Sequence, residues 1–140
     1  MITTAIKEKL LSSGTPFALV EGANELAEVK DRPTNTPAAY VYIGNEVSEK
    51  NARMTGPVFQ RMSVDVSVVI VAENLSGAGA ASGDIDVLKA WVRRQLLGFV
   101  PAGIQADPLE HIQGQLTQAK DGMVWFEDQF GTAVYIEEEA

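Results

Sequence analysis

The segment from Val58 to Ala72 constrains this chain more than any other. It begins by alternating polar and apolar residues, then becomes apolar on both faces through Val68, Val69, Ile70, Val71 and Ala72. β-Branched side chains are stiff at χ1 and fit a pleated, packed surface better than a helix. Alternation predicts a half-exposed start, and the continuous apolar stretch predicts a strand running into the middle of a sheet. Its length far exceeds the usual ~5–6 residues, so part of it is expected to project beyond the domain body as a hairpin arm.

The other elements can be placed around that strand. Ile2, Ala5, Ile6 and Leu10 recur at helical spacing, which predicts a short amphipathic helix over 3–13, stopped by Gly14 and Pro16. Leu26–Val29 alternates and predicts a short strand, and Asp31–Pro37 is turn chemistry throughout. Ala39–Ile43 is strand-like, and residues 45–57 are expected to form a long loop. Residues 76–83 have a linker composition. A helix is predicted over 84–98, with Asp84 and Asp86 at its N-terminus, a stripe of Ile85, Leu88, Val92 and Leu96, and Gly98 as its stop. A strand from Leu109 leads through the hairpin signal Asp121-Gly122 into a last strand, Met123–Ile136, with a bulge expected near Gln129–Gly131. This order predicts one α+β domain: a mostly antiparallel twisted β-sheet with two helices packed on one face. Residues 137–140 are expected to be a flexible tail.

Composition removes most chemistry. With no cysteine and one histidine, disulfide scaffolds, thiol catalysis and Cys/His zinc sites are excluded. No apolar run approaches the ~20 residues of a membrane helix, and the N-terminus lacks the pattern of a secretory signal, so a soluble intracellular or assembled protein is expected. The three glycines of 76–83 precede Asp84 and Asp86, not the Lys-Ser/Thr of a phosphate loop. His111 is expected to be an edge-strand histidine bonded to backbone or water, and no Gly-x-Ser-x-Gly elbow accompanies it. Glu127 and Asp128 are adjacent on a strand and point to opposite faces, so they cannot converge on one substrate atom without the nearby bulge, and a solvated or interface role is expected. Glu137–Glu139 suits a solubilising end better than a metal site. No catalytic, cofactor-binding or metal residue is assigned, and an enzyme is not expected.

The formal charge is −8, and residues 121–140 contribute six acidic side chains with no Lys or Arg. Lys89, Arg93 and Arg94 are the nearest approach to a basic cluster and are expected to complement the helix dipole, so avid nucleic-acid binding is disfavoured. Tyr40, Tyr42, Trp125, Phe126, Phe130 and Tyr135 fall on strand segments that look apolar on both sides. With helices on one face only, the other face is expected to be buried against a second copy of the chain. Lys50, Arg53 and Arg61 are expected at that subunit interface, facing the acidic 121–140 segment of a neighbour.

The pattern Trp125-x-x-Asp128-x-Phe130-x-Thr132 resembles the end of tailed-phage tail terminator proteins. The element order does too: a short N-terminal helix, a Pro-rich turn before a Tyr-containing strand, a long hairpin arm, then a helix holding Trp91 and Arg93-Arg94. The resemblance implies a structural virion protein without cofactors, a lambda-type terminator forming a hexameric ring on the tail tube. Such a ring would stop tube polymerisation and receive head-completion or connector proteins, while DNA passes through without specific binding. It also implies Trp125, Asp128 and Phe130 as interface residues beside Lys50, Arg53 and Arg61. Another head–tail completion or neck protein shares these features. A small-molecule-binding or enzymatic α+β domain would instead need His111 or Glu127-Asp128 to converge in a pocket.

Overall fold

A computed structural model describes residues 2–29, 33–73 and 84–139. Five strands form one sheet in the order β1-β2-β3-β5-β4. They are β1 (Leu19–Glu21), β2 (Ala38–Ser48), β3 (Phe59–Glu73), β4 (Glu110–Lys120) and β5 (Met123–Glu137). Every pairing is antiparallel except β1 with β2. The predicted α+β class holds, and the fifteen residues of β3 lie in the middle of the sheet, between β2 and β5.

Helices α1 (Ile2–Leu10) and α3 (Ile85–Leu96) cover one face. Ile2, Ile6 and Leu10 of α1 and Leu88, Val92 and Leu96 of α3 bury against Val64, Val66, Val68 and Ile70 of β3 and Phe130 of β5. Asp84 caps α3 by accepting from the backbone N–H of Asp86 at 2.9 Å. Gly98, at φ +78°, ends it as expected, and its N–H donates to the carbonyl of Leu109, which carries the chain back to the sheet.

Four expectations need correction. Leu26–Val29 is not a strand: α2 (Ala23–Glu28) occupies it, started by Gly22, whose N–H donates to Glu25 Oε1 at 2.9 Å. Alternation over four residues was too short to outweigh that local cap. α2 lies on the face opposite α1 and α3, where Leu26 and Val29 join Ala38, Tyr40, Val69, Val71 and Met123 in a second, smaller core. The 45–57 loop is shorter, because β2 continues past an irregularity at Gly44 and pairs to Ser48, opposite Met62. β3 supplies the ladder that this polar stretch could not announce.

The expected bulge at 129–131 is absent from β5, whose register with β3 is unbroken from Met123 to Glu137. The irregularities fall on β4 instead, between His111 and Gln113 and between Leu116 and Gln118. An interior strand is held from both sides, so the edge strand absorbs the mismatch. The C-terminal end is also tied down further than expected, since Glu138 N–H donates to the carbonyl of Val58 at 2.8 Å. The linker-like residues 76–83 and the turn residues Asp31 and Arg32 lie outside the described residues. Among the described residues no helix is long and apolar enough to cross a membrane.

Candidate functional site

Because adjacent residues of β5 face opposite ways, Glu127 and Asp128 anchor two separate polar clusters, as the strand period requires. Asp128 points under α3 and is wholly buried. Arg93 reaches it in a fork, Nε to Oδ2 at 3.0 Å and a terminal nitrogen to Oδ1 at 3.0 Å. His111 Nε2 lies 2.7 Å from Oδ1 and donates to it, while the imidazole edge packs against the Phe130 ring at 5.3 Å. The hydrogen bonds that Arg93 donates to Asp128, which favour its charged form, hold the guanidinium above its ordinary pKa. So α3, β4 and β5 meet at one carboxylate.

This corrects two expectations. His111 Nε2 is bonded to a buried side chain, and Arg93 reaches that same carboxylate. The cluster carries no nucleophile: among the described residues no hydroxyl hydrogen-bonds His111. A cleft of about 210 Å³ lies beside it, lined by Arg61, Asp65, Asp107, His111 and Thr132 among others. His111 Nε2 is taken up by Asp128.

On the open face Glu127 gathers three donors at Oε2: Ser67 Oγ at 2.7 Å, Tyr42 Oη at 3.2 Å and Gln129 Nε2 at 3.2 Å. Burial, then the Glu127 charge, pushes the Tyr42 phenol above its ordinary pKa. Burial, then Glu21 and Glu25, does the same to Tyr40. The middle of this face is therefore polar, with Asp65 and Gln129 beside the cluster. The uniformly apolar second face expected from the aromatics does not exist. Tyr40 and Trp125 are covered at one end by α2, and Phe130 points the other way into the main core.

The six residues expected at an interface separate into three groups. Asp128 and Phe130 have no exposed surface, so neither can touch a neighbour directly. Trp125 is half-buried beside the second core, and its indole Nε1 is buried without a hydrogen-bond partner. Lys50, Arg53 and Arg61 stand on the distal β2–β3 hairpin, and all three are exposed. Arg53 forms an ion pair with Glu137 and lies 4.9 Å over Phe59, which stacks on Tyr135. Arg61 bridges Glu49 at 3.2 Å and Asp107 at 3.3 Å. The attraction of Arg53 to the acidic C-terminal segment is thus present, but satisfied within one chain.

Among the described residues no group of three or more acidic or imidazole side chains is placed to hold a metal ion. The molecule displays a β4 exposed along nearly its whole length and an exposed distal end of β2. Sequence reasoning missed both Arg93 and His111 as partners of Asp128. The signal was present only as a lone buried-strand acid with a basic helix upstream.

No curated protein matches this sequence. Among solved structures, a chain of the virion of a native gene transfer agent particle shares the fold. It superposes with a TM-score of 0.62 at 17% identity, over 96% of this chain and 95% of that one. The family model described as phage tail terminator protein matches residues 1–140. The whole chain is matched, and this protein belongs to the phage tail terminator family, structural components of phage-type virions.

Proposed function

We propose that this chain closes into a ring, hexameric by the family resemblance, that caps the tail tube, stops its polymerisation and receives a head-completion or connector protein. The observation that carries this reading is the family match along the entire chain. The fold supports it, because a ring needs two different surfaces that meet head to tail. A sheet with two unlike edges and an asymmetric distal hairpin provides them. Lys50, Arg53 and Arg61 stand at that hairpin, where they set the register of a neighbour more than its affinity; exposed pairs contribute about 0–1 kcal/mol each.

Each copy brings a formal charge of −8. In this reading the open face, with Asp65 and Glu127, looks into the bore, and DNA passes without adhering. Repulsion of that kind acts over about 8 Å at physiological salt.

The test is electron microscopy of tail-tube subunits polymerising with and without this chain. Tubes of limited length bearing a ring at one end are expected in its presence, and open-ended tubes of uncontrolled length in its absence. A chain that leaves tube length unchanged but binds the connector would be a neck protein instead.

A further inference from the structure

The sheet ends on two strand edges that nothing among the described residues pairs with. On one side β4 offers its whole outer edge, Glu110–Lys120. On the other side β1 covers only Ala38–Tyr40 of β2, which leaves the outer edge open beyond them to Ser48. Natural proteins usually guard such edges with charge or proline. Between Glu110 and Lys120, β4 has neither, its only ionisable side chain being His111.

Each edge displays two exposed aliphatic side chains, four positions apart: Ile43 (38% exposed) and Val47 (57%) on β2, Ile112 (48%) and Leu116 (55%) on β4. Their faces match. Ile43 is opposite Val66, and Leu116 is opposite Phe126, whose ring is covered by Lys89 of α3 at 4.2 Å; both belong to the helix-covered face. Val47 is opposite Ser63 on the open face. Ile112 lies over Gly131, beside Asp65, on that same face. The irregularity of β2 falls at Gly44, between its two aliphatics, and that of β4 falls at Ile112 itself, so each strand carries one aliphatic on each face.

We propose that β4 of one copy pairs antiparallel with the distal part of β2 of the next, with Leu116 opposite Ile43, Gln115 opposite Asn45 and Ile112 beside Val47. One continuous sheet then runs around the ring. This rests on the ring reading above and names its interface. The direction is right, because β2 and β4 already run antiparallel within one sheet. The stagger is right as well. Within a chain Ile43 lies level with His111 and Phe130, whereas Leu116 lies level with Phe126. Joining Ile43 to Leu116 therefore steps each copy about four residues along the strands while adding four strands across. A closed sheet whose shear equals its strand number tilts its strands by about 36°, close to the usual range for barrels.

Disulfide trapping tests this, helped by the absence of native cysteine. Asn45→Cys and Gln115→Cys are placed on one chain. Within a copy these sites lie three strand spacings apart, about 14 Å or more, beyond the reach of a disulfide. Mild oxidation of the double variant at high protein concentration is expected to give an interchain ladder ending in a closed species. Its cross-linked fraction should be about tenfold that of either single variant. Leu116→Lys should abolish the ladder, and Ile43→Glu added to it should restore it. If light scattering shows a higher oligomer but no ladder forms, this edge pairing is overturned while the ring stands. A ladder that halts at the dimer also overturns it. A chain that remains monomeric and uncross-linked at all concentrations overturns both readings.

Discussion

Asp128 shows how one side chain can organise three elements. Its carboxylate is fully buried, receives a forked Arg93 and a donating His111, and so joins α3, β5 and β4 at a single point. The partners are not equivalent, because the Arg93 side chain keeps 36% exposure whereas Asp128 keeps none. Arg93→Ala strands a buried carboxylate with one remaining donor, and is expected to cost about 3 kcal/mol. Asp128→Asn leaves a guanidinium that can turn to water, and is expected to cost nearer 1–2 kcal/mol. Urea unfolding of the two variants checks the order, and equal losses would show that Arg93 does not neutralise the acid.

At the level of elements, the edge strand β4 is seated by two glycines that act differently. A Cβ at Gly114 would lie 2.7 Å from the Phe126 ring and 2.9 Å from Asp128 Oδ1. A Cβ at Gly131 would come nearest the end of the Ile112 side chain, at 2.9 Å, which can rotate away. Gly114→Ala should therefore destabilise by about 1–3 kcal/mol and loosen β4 from β5, while Gly131→Ala should be tolerated. Amide exchange along Glu110–Lys120 distinguishes them. The hairpin that sets this pairing was legible in advance, since Asp121 and Gly122 both adopt positive φ, 54° and 76°. The bulge was not legible: it was expected in β5, and the irregularities lie in β4. Placing it required knowing that β5 is flanked on both sides.

For the whole molecule, two tyrosines link the small core to alkaline stability. Burial and neighbouring carboxylates raise the folded-state pKa of Tyr40 and Tyr42 above the ordinary value near 10. A raised pKa means the folded state holds these protons more tightly. Their contribution is complete below the unfolded pKa of about 10 and is lost as pH rises through the folded values. Stability should be flat in this respect near neutrality and fall above about pH 10, with tyrosinate absorbance appearing later in the folded chain than in urea. Tyr42→Phe should reduce the fall. A tyrosinate titration identical in folded and unfolded chains would contradict it.

Local pattern alone determined the central strand, the two amphipathic helices, the Asp-Gly hairpin, the separation of Glu127 from Asp128 and the exclusion of thiol and zinc chemistry. Each depends on period, turn geometry or residue type, which neighbours in the chain suffice to express. Tertiary structure decided the rest. It laid Leu26 over the second face, extended β2 with polar residues, buried Phe130 and Asp128, and paired Arg93 and His111 with that acid across 35 and 17 positions. It also brought four aliphatic residues to matching places on two free edges. Those outcomes depend on which strands become neighbours, and that is settled by the free energy of the assembled sheet, not by any window of sequence.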